Sequence, residues 1–250
     1  MNPDPTPPRD NSQVLGDTEL QTVALEDNAN AVNYHAWLCD LALPYLGDDP
    51  LELGSGLGGY VQTWLDAGVP RVTATEADPA RLQHLRDRFD GDSRVTVREI
   101  DLEDPPEGSW SSFVSFNVME HIPDDVAALR AAARMVRPGG AVLSYVPAFP
   151  FAMSRFDREI GHVRRYTVAS ARAAYLKAGL DVEVARYVNA PGLLAWFVGM
   201  RLLRMTPKDG PVLSVWDGQV IPRVRRLETR RPAPFGQSVL VVGRVPGTSA

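Results

Sequence analysis

An internal disulfide is excluded, because Cys39 is the only cysteine of the sequence. Histidine is scarce as well. The four histidines are scattered and none falls at a zinc-ligand spacing, so no metal is expected. Long hydrophobic runs are missing: no stretch of ~18 apolar residues is present, and no membrane span is expected. The start, MNPDPTPPRDNS, lacks the apolar core of a secretory signal, which makes a reducing cytoplasm the expected location. A basic excess is also absent. The net charge is −5, which argues against a non-specific nucleic-acid binder.

What is present suits one α/β domain. The chain has 250 residues, 44% hydrophobic and 23% charged, enough to fill one core and keep it in solution. Residues 1–17 are rich in Pro, Asp and Asn and read as a disordered tail, leaving 18–250 as a single domain. Glu19 to Leu46 has helical apolar spacing. From Leu51 onward strand and helix alternate. Strand patterns cover Leu51 onward, RVTATEA, Arg94–Ile100, Ser112–Val118 and AVLSYVP; helical patterns cover Tyr60–Ala67, Pro79–Phe89 and Asp124–Val136. Such alternation predicts a doubly wound, mainly parallel sheet with helices on both faces. Phe149–Tyr166 reads as a long ordered loop and Val168–Ala178 as a helix. Two further strands, DVEVARYV and QSVLVVGRV, are separated by about 48 residues, too many for a hairpin turn.

The sharpest local signal is LELGSGLGG. Gly54, Gly56 and Gly59 satisfy GxGxxG, and Gly54, Gly56 and Gly58 satisfy GxGxG. Glycine permits positive φ and close approach of a ligand to the backbone. Alone, the turn fits a dinucleotide, a methyl donor or an ordinary tight turn. Its neighbours add acids at strand ends: Glu52 before the first glycine, Glu76 after the second strand, and Asp101 in EIDLED after the third. A strand-end acid can accept ribose hydroxyls, and one further along can accept the adenine amino hydrogens.

LELGSGLGG, TEAD, EIDLED, SFNVMEHI and RPGGAVLSYVP, in that order, resemble the successive motifs of class I S-adenosylmethionine-dependent methyltransferases. The resemblance covers roughly residues 30 to 190. It implies a Rossmann-like, seven-stranded sheet with an antiparallel last strand, and S-adenosylmethionine as cofactor. It also implies that Gly54, Ser55 and Gly56 border the methionine portion, with Glu52 ordering the loop. Glu76 would bind the ribose, Ala77 would pack by the adenine, and Asp101 with the Leu102 amide would read the adenine edge. Asn117 would offer its backbone carbonyl to the methionine amine. Tyr34 either closes the methionine pocket or is a half-buried structural residue. GHVRRYT resembles a subgroup of small-molecule methyltransferases.

Methyl transfer is an in-line displacement, which needs positioning first and a base only where the acceptor must lose a proton. His121, beyond the fourth strand, and His162, in the loop after the fifth, are the base candidates; loop ordering is the alternative for each. The loop spanning 148–167 concentrates Arg155, Arg158, Arg164 and Arg165 with Tyr166. Arg164, Arg165 and Tyr166 either recognise an anionic or polar acceptor or belong to a loop pinned by Asp157 and Glu159. In the insertion, 189–235, PGLLAWFVGMRLLR is unusually apolar. It reads as a lid with Trp196 and Phe197 facing the acceptor, a homodimer helix, a membrane-surface segment, or a helix packed on the sheet. From Arg201 to Arg231 eight basic residues face three acidic ones, which suits an anionic lipid, a phosphorylated acceptor or a solvated face.

The expected activity is methyl transfer to O or N of a small molecule, natural-product intermediates included. A lipid-linked or sugar-phosphate acceptor, a non-catalytic donor-binding regulatory module and a nicotinamide oxidoreductase are the alternatives. Fold alone does not choose among acceptors.

Overall fold

The computed structural model describes residues 16–22, 25, 31–198 and 214–247. Most of the expected tail lies outside the described residues, as do Met200, Arg201 and Arg204 in the middle of the insertion.

Helix α1 (Val32–Leu46) buries Leu38, Ala42 and Leu46, one row at four-residue spacing, together with Trp37 and Cys39. Strand β1 (Pro50–Leu53) follows and is buried throughout. Then come α2 (Gly59–Asp66), β2 (Val72–Thr75), α3 (Pro79–Arg88), β3 (Val95–Arg98) and β4 (Trp110–Phe116). Asp78 caps α3 by accepting the Arg81 amide at 2.9 Å, and Pro79 opens its first turn. Helix α4 (Asp125–Met135) is capped in the same way, by Asp124 on the Ala127 amide. Strand β5 (Val136–Pro147) completes the parallel part.

The loop expected at 149–166 contains more order than its sequence suggested. It holds a 3-10 turn at Pro150–Ala152 and a short helix α5 (Arg155–Glu159), closed by a reciprocal Ser154–Asp157 capping box. Beyond it lie α6 (Val168–Lys177), β6 (Asp181–Val188), α7 (Ala190–Trp196), α8 (Ile221–Arg230) and β7 (Ser238–Arg244).

The seven strands run in the order β3-β2-β1-β4-β5-β7-β6. β1 to β5 pair in parallel, and β7 pairs antiparallel with both β5 and β6. Two cores flank the sheet. Trp64, Val114, Phe116 and Tyr145 lie on the α1–α2 side, with Leu51, Phe113, Leu129 and Met135 on the α4–α6 side. α8 belongs to the first core through Ile221 and Val224.

Strand order reverses between β1 and β4, because the chain winds outward from β1 to β3 and then returns to β1's other side. In open α/β sheets the crevice beyond the strand ends at such a reversal is where ligands bind.

Candidate active site

At that reversal β1 runs directly into the glycine turn. Gly54, Gly56 and Gly58 all have positive φ, at 68°, 54° and 76°. Side chains are excluded there for space as well as for φ. A Cβ on Gly54 would lie 2.7 Å from Val118 Cγ2, and one on Gly58 would lie 2.7 Å from Phe89 Cε2. Ser55 ties the turn to β2: its amide donates to the Thr75 carbonyl at 2.7 Å, and its Oγ accepts the Thr75 amide at 3.2 Å.

Glu52 lies opposite Ala74 and Val114 in the β ladder, on the α1 face of the sheet. It is 1% exposed, and its Oε2 has no hydrogen-bond partner. Burial pushes its carboxyl up to about 8, only partly offset by the Ser55 hydroxyl. Glu76 is also buried but well satisfied. Its Oε1 accepts the Ala77 and Asp78 amides at 3.0 Å and Arg81 Nη2 at 3.3 Å; its Oε2 accepts the Gly56 amide at 3.0 Å. One lone-pair site of Oε2 remains for a hydroxyl.

Asp101 is exposed and accepts the Glu103 amide at 2.8 Å, beside the half-buried Leu102. Asn117 sits at the end of β4 with φ 52° and is exposed. Glu52, Gly54, Ser55, Gly56, Glu76, Ala77 and Asn117 are thus gathered along the ends of β1, β2 and β4.

Tyr34 approaches from α1. Its hydroxyl lies 2.8 Å from that of Tyr145, and burial lifts its pKa to about 12. The backbone amides of Asn33 and Tyr34 donate to Asp217, which anchors the start of α1 to the insertion. Tyr60 and Phe116 stack at 4.4 Å between centroids, and Phe116 lies 6.1 Å from Tyr145. This aromatic wall was not read from the sequence. Its members come from α2, β4 and β5, and only strand register brings them together.

The two histidines meet. His121, in the turn Met119–His121 after β4, faces His162 edge-on at 4.6 Å between ring centroids. Burial and the neighbouring His162 lower His121 to about 3, so it is neutral at pH 7. His162 Nδ1 lies 2.9 Å from Asp157 Oδ1, and His162 Nε2 lies 3.7 Å from Glu120 Oε1. Glu120 is fully buried; burial raises it to about 7 against the opposing pull of His162. For Asp157, burial alone would raise the pKa. The His162 hydrogen bond, the Arg165 charge and the Ser154 hydroxyl outweigh that and hold it well below the usual carboxylate range. Sequence reasoning passed over Glu120 and the depth of Asp157. The adjacency Glu120–His121 was the available signal.

Arg164, Arg165 and Tyr166 are engaged within the protein. Arg164 pairs with Asp125 at 2.8 Å. Arg165 is 6% exposed and donates to Asp157 Oδ1 at 2.7 Å and to the Ala148 carbonyl at 3.1 Å. Tyr166 donates to Asp125 Oδ2 at 2.9 Å. Trp196 packs on this loop: its indole NH reaches the Ala152 carbonyl, and the Arg165 guanidinium lies 4.8 Å from its ring centroid. Phe197 meets Phe151 at 6.0 Å. Among the described residues no helix is long and apolar enough to cross a membrane.

Comparison with known proteins identifies the domain. A methyltransferase-domain family model matches residues 51–144, the stretch from β1 through most of β5. A ubiquinone biosynthesis O-methyltransferase of Xanthomonas euvesicatoria is 30% identical over 161 residues, covering 56% of this chain and 66% of that protein. The chain carries a methyltransferase domain and is similar to the class I S-adenosylmethionine-dependent methyltransferases. It spans 66%, 53% and 43% of the length of three curated relatives it matches. Two solved structures share the fold. A chain from the Haloferax volcanii complex with the Trm112 methyltransferase activator superposes at TM-score 0.63 and 19% identity, over 94% of this chain and all of that one. Geranyl diphosphate methyltransferase in complex with its donor superposes at 0.59 and 16% identity, over 83% of this chain and 84% of that one. The donor of this family is S-adenosylmethionine. The residues present suit it: a buried acid with an unpartnered oxygen matches a cationic ligand, and an acid after the next strand with one lone-pair site open matches a sugar hydroxyl.

Proposed function

We propose that this protein moves a methyl group from S-adenosylmethionine to an oxygen or nitrogen of a small-molecule acceptor. The observation that carries the reading is the pair of buried acids, Glu52 and Glu76, flanking a left-handed glycine turn at the sheet's reversal point. When bound, the donor supplies an electrophilic methyl on a positively charged sulfur. Glu52, which holds a proton near neutrality in the donor-free protein, releases it as the cation binds and then supplies negative charge toward that cation. Glu76 accepts a ribose hydroxyl on Oε2, while Ala77, Asp101 and the Leu102 amide border the adenine. The Asn117 carbonyl, set by its left-handed backbone, accepts the methionine ammonium, and Tyr34 lies on the same side. His121 and His162 stand at the carboxyl edge, on the acceptor's side. Arg165 and Tyr166 act by holding their loop in shape, since both are paired inside the protein. Alignment of nucleophile, methyl and sulfur contributes most of the rate, as much as ~7–11 kcal/mol in favourable cases.

Calorimetry with the donor and its demethylated product tests the donor site. Glu52→Gln and Glu76→Ala should each weaken binding by about ten- to a hundredfold, the value of a hydrogen bond to a charged group. Radiolabelled methyl transfer across a panel of phenols, amines and sugar phosphates tests the activity. Donor binding without turnover on any acceptor would favour a regulatory module instead.

A lipid-linked acceptor is the second reading. It is favoured by an apolar surface where Phe151, Leu194 and Val198 are 58%, 62% and 48% exposed around Phe197. Pelleting with anionic phospholipid vesicles checks it; no association at low salt removes it.

A further inference from the structure

We propose that Glu120, His121 and His162 form a binding site for one divalent transition-metal ion of the zinc class. One ligand atom from each lies within 4.8 Å of the others. Glu120 is fully buried and neither of its carboxylate oxygens has a hydrogen bond. A carboxylate in that position is costly unless a cation reaches it.

His162 is oriented from behind: its Nδ1 lies 2.9 Å from Asp157 Oδ1, which leaves Nε2 directed at Glu120 at 3.7 Å. Asp157 is fixed in turn by the Ser154 hydroxyl at 2.6 Å and by Arg165 at 2.7 Å. A carboxylate behind a histidine is the arrangement that fixes tautomer and aim in metal sites. The backbone holds the two halves together: the Val163 amide donates to the Glu120 carbonyl at 2.9 Å, joining the loop after β5 to the turn after β4.

Two imidazoles and one carboxylate are a catalytic zinc donor set, which leaves a fourth position open. Zinc bonds of about 2.0–2.1 Å put tetrahedral ligand atoms about 3.3–3.4 Å apart, so small side-chain rotations close the present gaps. The sequence does not advertise the site, because two ligands are adjacent in a turn and the third arrives from another loop. Zinc-ligand spacing rules describe neither.

The consequence rests on the methyl-transfer reading above. The site is tied to the donor region: Val118, just before the turn Met119–His121, packs against Gly54, and Gln21 joins the Ile160 carbonyl to Arg81, the partner of Glu76. An acceptor hydroxyl in the open position loses its proton to solvent, as metal-bound water does near neutrality. Its oxygen then attacks the methyl as the metal-held anion. The C–O bond forms as the C–S bond breaks, and the sulfur leaves as a neutral thioether.

The test uses the full chain, stripped with chelator and dialysed against zinc chloride. Elemental analysis should find close to one zinc per chain, and cobalt(II) in its place should give the d–d absorption of a low-coordinate site. Glu120→Gln and His162→Ala should each lose the metal at equal free zinc while donor binding, measured by calorimetry, persists. Asp157→Asn should weaken zinc by about 10–100-fold. If one variant fails to fold, the other carries the test. No bound zinc, or zinc retained equally by both variants, overturns the proposal. Zinc binding without methyl transfer sinks the activity and leaves the site, whereas turnover in fully chelated protein sinks the metal's role alone.

Discussion

A carboxyl group held between Ala74 and Val114 on neighbouring strands has no water to stabilise its charge. Glu52 is in that position, with its pKa raised to about 8. Unfolding returns it to an ordinary carboxylate value, so between the two values the folded state holds a proton that the unfolded chain has released. Stability therefore falls as pH rises through that window, by about 1.4 kcal/mol per pH unit at most from this one group. Below the ordinary value both states are protonated and the effect vanishes. Urea denaturation of donor-free protein from pH 5 to 8 should show the decline, and Glu52→Gln should remove Glu52's share of it. Equal slopes in the two proteins would mean that Glu52 is charged throughout. At this scale the sequence was informative where a residue type has few uses. An acid beside three glycines suggests a ligand, and Glu52 and Gly54 were singled out that way, Glu76 by its place at the end of the second strand. Glu120 escaped because a single buried acid in MEHI carries no periodic or spacing signal. Its importance comes from His162, which only the folded chain brings near.

Among elements, the turn after β1 separates the two costs of replacing glycine. Gly54 and Gly68 both have positive φ, 68° and 94°. A Cβ on Gly54 would meet Val118 Cγ2 at 2.7 Å, whereas one on Gly68 would meet nothing within 4 Å. Gly68→Ala should cost only the left-handed strain, about 1–2 kcal/mol. Gly54→Ala should cost more, because Val118 and the turn after β4 must also move, and it should weaken donor binding while Gly68→Ala leaves it unchanged. Denaturation midpoints and calorimetry on the pair check both statements. Equal costs would show that the turn yields freely. The regular strands and helices were readable because each carries a period and a boundary: Asp78 and Asp124 cap, while Gly68 and Gly179 stop. Helix α5 was not readable, since five residues are too few to show a helical period and its capping acid also serves His162 and Arg165.

Across the whole molecule, the parts of the site arrive from segments far apart in the chain, and residues 16–22 with Leu25 bridge two of them. The Asp17 amide donates to the Glu159 carbonyl at 2.9 Å, and Gln21 Nε2 donates to the Ile160 carbonyl at 2.8 Å, which fastens the helical turn at 18–22 to the histidine-bearing loop. On its other side Arg81 reaches Gln21 and Thr22 at 3.4 Å while also bonding Glu76. Leu25 lies over Gly56, where an added Cβ would come within 3.0 Å of its Cδ1. These residues therefore touch the glycine turn, the arginine that bonds Glu76 and the histidine-bearing loop together, without contributing to the sheet. Deleting residues 1–25 should leave the far-ultraviolet spectrum and the cooperativity of unfolding intact. It should raise the donor's dissociation rate at least about tenfold, the equivalent of about 1.4 kcal/mol of lost cover, with little change in association rate. Stopped-flow displacement of bound donor measures this directly. An unchanged dissociation rate would mean that the segment rests on the loops without closing over the ligand, and that the pocket is completed from the acceptor's side alone.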